Sequence, residues 1–215
     1  MLLLIDLDNT LVDRKSAYKS WADARFGRSQ VAWLVEADGN GYTPREEVAA
    51  KIAVRFGVDE REILNDLRAG MVDHLTLDPA IESALVDAAA AGFVPFVVTN
   101  GTVAQQEAKL RRTGLDRLVA GWTISEAAGV RKPDRAIFAA AAAAAGLPLS
   151  ANGWMVGDNE ENDVGGGVTA GLRTAWVSDN REWPARLAYR PDLSAPTCAE
   201  ILARVIRLPR PDAGR

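Results

Sequence analysis

Two aspartates, Asp6 and Asp8, follow the apolar run Leu2-Leu3-Leu4-Ile5, and Thr10 stands two residues further on. An apolar run this short reads as a buried strand. Residues i and i+2 of an extended chain point to the same side, so the end of the strand aims two carboxylates at one place. Two negative charges held so close repel, and the pair is tolerable only with a cation between them. A hard divalent cation accompanied by an anionic substrate meets that need.

Three further polar clusters follow or adjoin apolar strand patterns: Thr99 with Asn100, Lys132, and Asp158 with Asp163. Ligands of open parallel sheets bind outside the carboxyl ends of the strands, so clusters distant in sequence can meet there. Together they supply carboxylates, small hydroxyl and amide donors, and one cation. That inventory suits a Mg²⁺-bound phosphoryl group: carboxylates hold the metal, the metal and Lys132 neutralise phosphate charge, and short donors hold its oxygens. Each cluster alone has a plainer reading. Asp6-x-Asp8-x-Thr10 resembles the start of a calcium loop, but Leu11 stands where such a loop needs glycine, and no entry helix precedes it. Asp158 to Asp163 could be an acidic turn capping a helix, and Lys132 a solvated surface lysine. Gly165-Gly166-Gly167 lies in no G-x-G-x-x-G or Walker frame. Each glycine in a helix costs about 1 kcal/mol relative to alanine, so close helix-to-sheet packing is the expected reason for the run.

The elements that must position these groups alternate. After the first strand comes a mainly helical stretch from about Ser16 to Leu77, with a turn at Asp38-Gly39-Asn40-Gly41. Within it, Thr43-Pro44-Arg45-Glu46 predicts an N-cap with proline at the first helical position, and Asp59 with Glu62 predicts a capping box. From Asp78-Pro79 onward, helices are expected at 80–91, 103–112 and up to Ala145, the last an alanine-rich segment suited to helix. Strands are expected at 93–98, 122–124, 154–156 and 174–177. Strands alternating with helices predict an α/β fold, a Rossmann-like open parallel sheet with helices on both faces, plus a small helical cap domain. The expected division is a catalytic core at 1–13 and 80–208, a helical cap at 14–79, and a flexible C-terminal tail at 209–215.

Composition narrows the function. The chain has 215 residues, 48% hydrophobic and 25% charged, enough for one core plus an insert. Its net charge is −4 and no Lys/Arg block occurs, which argues against a nucleic-acid partner. Cys198 is the single cysteine, so no internal disulfide forms; a reducing compartment and a buried, inert thiol are expected. The apolar start is too short for a signal peptide and no apolar stretch is long enough to span a bilayer, so a cytoplasmic protein with no membrane association is expected. Oligomeric state is not legible.

The four clusters, taken in order, resemble the motifs of the haloacid dehalogenase superfamily. Leu2 to Leu11 looks like its first motif, a strand followed by D-x-D-x-T. Val97-Val98-Thr99-Asn100-Gly101 looks like its second, Lys132-Pro133 its third, and Val156-Gly157-Asp158 through Asp163 its fourth. The resemblance implies a Mg²⁺-dependent phosphatase acting on a small phosphorylated metabolite. It makes Asp6 the nucleophile that forms an aspartyl phosphate and a metal ligand through its other oxygen. Asp8 becomes the general acid and then base, with its backbone carbonyl on the metal. Thr99 and the Asn100 backbone hold phosphate oxygens, with Lys132 beside Asp6 and the phosphate. Asp158 is a direct Mg²⁺ ligand, and Asp163 and Thr10 support the site. The superfamily's dehalogenases need no metal and lack the second aspartate, so Asp8 argues for phosphate esters. A phosphonatase would need a Schiff-base lysine from the cap (Lys15, Lys19 or Lys51), a phosphomutase would need to exclude water, and a scaffold would have no need of the full motif set. Arg14, Lys15, Tyr18 and Lys19 either face the leaving group or form the solvated face of the first cap helix. Trp21, Trp33, Tyr42 and Phe56 are expected to pack in a core rather than stack on substrate, and His74 to lie at the surface or a hinge.

Overall fold

The computed structural model describes residues 1–41 and 43–209; Tyr42 and the expected tail beyond Pro209 lie outside it. The chain divides into two compact units, Met1–Val12 with Leu77 onward, and Asp13–Thr76. In chain order the helices are α1 (Arg14–Phe26), α2 (Val31–Asp38), α3 (Arg45–Phe56), α4 (Glu60–Asp73), α5 (Pro79–Ala90), α6 (Val103–Thr113), α7 (Ser125–Ala128), α8 (Arg135–Ala144), α9 (Gly166–Ala170) and α10 (Cys198–Val205). The strands are β1 (Leu2–Ile5), β2 (Val94–Thr99), β3 (Trp122–Ile124), β4 (Trp154–Gly157), β5 (Arg173–Val177) and β6 (Leu193–Ala195).

All six strands run parallel in the order β3-β2-β1-β4-β5-β6. β1 is central, and every one of its four residues is buried, which is why the segment is uniformly apolar rather than alternating. Leu2, Leu4, Phe96, Val98 and Met155 meet Ile137, Phe138, Ala141 and Ala142 of α8, along with Ala170 and Leu172, on one face. On the other, Leu3, Ile5, Val97 and Val156 are fully buried, and α5 and α10 pack against one another and the sheet. The chain leaves β1 toward β2 and β3 on one side and returns to β4, β5 and β6 on the other. The switch between the two directions therefore falls at β1 and β4.

Within the glycine run only Gly167 meets the expected close packing on the sheet; Gly165 faces Tyr189, and Gly166 faces Phe138 of α8. A Cβ on Gly167 would lie 2.7 Å from Thr174 Cγ2 and 3.0 Å from Met155 Cβ, so α9 approaches the sheet more closely than alanine allows. β6 and α10 have no counterpart among the expected elements. α10 does carry a readable signal: the Thr197 hydroxyl accepts from the Glu200 backbone N–H at 3.3 Å and donates to the Glu200 carboxylate at 3.2 Å, ahead of buried Ile201, Leu202 and Val205.

In the helical unit, α1 packs on α2 and α4, and α3 on α4, around Trp21, Leu34, Ile52, Leu67 and Met71. The aromatic expectation holds fully for buried Trp21; Trp33 and Phe56 are half-buried, at the edge of a continuous chain of ring contacts through Tyr18, Trp21, Phe26, Phe56 and Trp33 at 4.4–5.9 Å. Asp59 caps α4 by accepting from the Glu62 N–H at 2.8 Å. His74 is exposed at the end of that helix. Two expectations are corrected. Thr43 does not cap α3: Pro44 keeps an extended ψ of 137° and is itself the boundary residue, with no side-chain cap bond. Nor are Arg14 and Tyr18 part of a solvated face. Both are buried, Arg14 in a bidentate pair with Asp38 at 2.7 and 3.0 Å that Arg45 joins at 2.8 Å. Lys15 is half-buried and Lys19 exposed, and together with Arg14, Tyr18, Val35 and Asp38 they line a cavity of about 220 Å³ within this unit.

Two outcomes follow from this packing. Gly167→Ala gains about 1 kcal/mol of helix propensity but forces two buried side chains apart, which costs about 1–3 kcal/mol, so the urea midpoint should fall or at best stay level. A clear rise would contradict the close approach. Cys198 is buried, and burial, with the Asp6 charge adding, pushes its thiol up to about 12. At pH 8 the native protein should therefore react with an aromatic disulfide reagent only on unfolding; rapid native labelling would contradict its placement.

Candidate active site

The clusters named from sequence sit where the sheet puts them. Ile5 pairs with Val97 of β2 and Val156 of β4, and β2 and β4 run on only to Thr99 and Gly157, so the carboxyl ends of these three strands lie close together. Asp6 immediately follows β1, Thr99 ends β2, and Asp158 immediately follows β4. The Asp6 N–H donates to the Val156 carbonyl at 2.9 Å, which extends the ladder one residue beyond β1 and fixes the Asp6 side chain over the strand ends. The chain then turns sharply. The Leu7 carbonyl accepts from the Leu11 and Val12 N–H groups at 3.0 Å each, and Asn9 adopts a left-handed φ of 59°, a conformation asparagine tolerates. Asp8 is carried on this loop.

Lys132 is the charge centre of the site. It is 3% exposed, which excludes the surface-lysine reading, and its ammonium donates to Asp6 Oδ1 and Asp163 Oδ1, each at 2.6 Å. The loop carrying it is fastened to β2 by the Asn100 side chain, which donates to the Lys132 carbonyl at 3.1 Å and accepts from the Lys132 N–H at 2.9 Å. Asp163 lies on a π-helical turn, Glu160–Gly165, and its second oxygen accepts from the Asn159 N–H at 3.0 Å. A Cβ on Gly157 would overlap the Asp163 carboxylate, so that position must be glycine for Asp163 to reach Lys132. The Asp158 carbonyl is held by Trp176 Nε1 at 3.0 Å and Arg181 Nη2 at 2.7 Å. Thr10 is buried, with its hydroxyl 3.5 Å from Asp6 Oδ2.

One ammonium does not balance this group. Oxygens of Asp6, Asp158 and Asp163, all buried, lie within 4.8 Å of one another. Burial pushes the Asp6 carboxyl up to about 7; Lys132 opposes this, and the charges of Asp163 and Asp8 add to it. For Lys132 burial acts to lower the pKa, but Asp163 and Asp6 outweigh it and hold the ammonium above its ordinary range. The cluster thus fits a hard divalent cation in its chemistry: an all-oxygen, buried donor set of three carboxylates, with the Arg181 guanidinium reaching Asp158 Oδ2 only at 3.9 Å. Asp6 and Asp158 would hold the ion, while Asp163, with both oxygens already bonded, supports Lys132 and the turn.

Besides Trp176 and Arg181, two residues beside Asp8 escaped the sequence reading. Lys109 of α6 is 3% exposed, and its ammonium contacts both oxygens of Asp8 at 2.8 and 2.7 Å. Gln106, one turn earlier, donates from Nε2 to Asp8 Oδ2 at 3.0 Å and to Thr99 Oγ1 at 2.7 Å. The available signal was periodicity: Gln106 and Lys109 share a helix face with buried Leu110, polar groups on a stripe that should be apolar.

Removing the ammonium while keeping the volume tests the charge balance. Lys132→Met leaves Asp6 and Asp163 facing each other in a buried site. In the presence of chelator it should lose about 3–5 kcal/mol of unfolding free energy in urea. A loss under about 1 kcal/mol would mean that Lys132 does not hold the carboxylates together.

Comparison with known proteins agrees with this geometry. A family model described as haloacid dehalogenase-like hydrolase matches residues 1–171. The pyrimidine 5'-nucleotidase YjjG of Escherichia coli is 43% identical over 93 residues, 43% of this chain and 41% of that protein. The phosphoserine phosphatase of Thermus thermophilus is 36% identical over 126 residues, 58% of this chain and 49% of that protein. The matches thus span less than half the length of each relative. Among solved structures, YfnB of Bacillus subtilis bound to magnesium superposes with a TM-score of 0.74 at 22% identity, over 96% of this chain and 98% of that one. The L-2-haloacid dehalogenase of Xanthobacter autotrophicus gives 0.77 at 18% identity, over 97% and 99%; both likenesses concern the fold. Since the family match contains every residue of the cluster from Asp6 to Asp163, this chain belongs to the haloacid dehalogenase-like hydrolases.

Proposed function

We propose that the protein is a Mg²⁺-dependent phosphatase that hydrolyses a small phosphomonoester through a phosphorylated Asp6. The observation that carries this reading is the buried group of Asp6, Asp158 and Asp163 around Lys132, with a second aspartate, Asp8, on the adjoining loop. A nucleotidase and a phosphatase among the relatives support it.

Asp6 is a carboxylate whose position over the strand ends is fixed by its own backbone, which suits an attacking group. Its oxygen forms the new bond to phosphorus as the bond to the ester oxygen breaks, and Asp8 delivers a proton to the departing alkoxide. Asp8 then takes a proton from the water that attacks phosphorus, which frees Asp6 and releases inorganic phosphate. Two easier displacements replace one difficult hydrolysis. Thr99 and the Asn100 N–H hold phosphate oxygens, and Lys132 neutralises charge on the transferring group. Mg²⁺ held by Asp6 and Asp158 would supply further charge neutralisation for the transferring group.

In this reading the helical unit is the substrate-selecting cap, and the substrate is a small phosphorylated metabolite: a sugar phosphate, phosphoglycolate or a nucleoside monophosphate. The phosphonatase alternative loses ground on the lysines it needs. A Schiff-base lysine is activated by burial, yet Lys19 and Lys51 are exposed and Lys15 only half-buried.

The test is release of phosphate from a chromogenic phosphomonoester. Turnover should require Mg²⁺ and stop with chelator. Asp6→Asn should lower it by at least about three orders of magnitude while the far-ultraviolet circular dichroism is retained. Undiminished turnover in Asp6→Asn, or halide release from 2-haloacids without any phosphatase activity, would overturn the proposal.

A further inference from the structure

We infer that Lys109 and Gln106 are positioning residues that clamp the Asp8 carboxylate in register with the phosphate-binding hydroxyl of Thr99. The inference rests on the phosphatase reading for its kinetic consequence, though not for its geometry. Asp8 sits on a loop rather than on a strand, and its side chain is 23% exposed, whereas Asp6 is anchored by the sheet ladder. A group that must pass one proton out and take another in needs its oxygens held at a fixed place, because small displacements of reacting groups are expensive. α6 supplies the hold. Lys109 contacts both Asp8 oxygens, at 2.8 and 2.7 Å, and a lysine this deeply buried is sustained only by such a pairing. Gln106 uses one amide nitrogen for two acceptors, Asp8 Oδ2 at 3.0 Å and Thr99 Oγ1 at 2.7 Å. The same amide thereby ties the proton-transfer group to a group that receives the phosphate.

The helix itself is well placed to act as a rigid support. It begins at the Thr102 cap, one residue beyond the Gly101 turn that follows β2, and its first turn is fastened by the Val103 N–H to Glu126 Oε2 at 2.7 Å. Gln106 and Lys109 are one turn apart on its buried face. Neither side chain is expected to touch the ester that is cleaved; both act through Asp8.

The experiment is a double-mutant cycle on a phosphomonoester with Mg²⁺. Lys109→Met should lower kcat on the order of 100-fold with KM changed by less than about twofold, and Gln106→Leu should lower it about tenfold. In an Asp8→Asn background Lys109→Met should change the residual rate by less than about twofold, since the group it positions is already disabled. The same fold loss in both backgrounds, or no loss in either, would overturn the inference and assign Lys109 a structural role. Should Lys109→Met fail to fold, Gln106→Leu runs through the same cycle with the same criterion. If Asp8→Asn keeps the wild-type rate, it is the acid–base assignment that fails. The clamp is then decided by the crystal structure of Lys109→Met or Gln106→Leu: a displaced or split Asp8 side chain supports it, and an unmoved one overturns it.

Discussion

The rest of the site depends on one buried ammonium shared between two carboxylates. Lys132 reaches Asp6 from β1 and Asp163 from the turn after β4, and it does so from a loop fastened to β2 by Asn100. Three segments distant in sequence are thereby cross-linked by charge at the carboxyl ends of the central strands. The arrangement is stable only as a whole. A buried ion is expensive without a partner, so each member makes the others tolerable. The excess of carboxylate over ammonium is what makes the place receptive to a divalent cation, and burial pushes Asp6 up to about 7, with Lys132 opposing and the charges of Asp163 and Asp8 adding.

The backbone does most of the positioning. Neighbouring strand ends bring Asp6, Thr99 and Asp158 to one edge of the sheet without any long side chain. A glycine at 157 leaves the volume that the Asp163 carboxylate fills, and close packing at Gly167 lets α9 lie against Met155 and Thr174. The acidic groups at the carboxyl edge and the glycines behind them are thus two parts of one packing solution. Asp8 differs, because it sits on a loop and takes its position from α6.

Legibility in the sequence follows the same division. Groups that end apolar strands were readable, because a short apolar run followed by polar residues signals both a strand and its carboxyl end. Asp6, Thr99 and Asp158 fall in this class, and the parallel sheet followed from strands alternating with helices. Groups whose role depends on tertiary pairing were readable only where they fell in the motif series, as Lys132 and Asp163 did. Outside that series, Lys109 draws no reading and Arg14 stays open between the leaving group and a solvated face, yet each is buried against a carboxylate, Asp8 in one case and Asp38 in the other. Nothing local announces a partner 101 or 24 positions away. β6 is Leu193-Ser194-Ala195, which carries no aromatic or β-branched run like the Trp122-Thr123-Ile124 of β3, while α10 carried a Thr197-to-Glu200 capping signal that was open to reading.

The central claim is that Asp6, held over the end of β1, is the group that accepts phosphorus. Its most direct test is to react the protein with an acyl phosphate and Mg²⁺, quench in acid, and map the modified peptide by mass spectrometry. The account predicts one added phosphoryl group, labile to base, on the peptide carrying Asp6. Phosphate found on another side chain, or turnover with no covalent phosphoprotein under any quench, would contradict it.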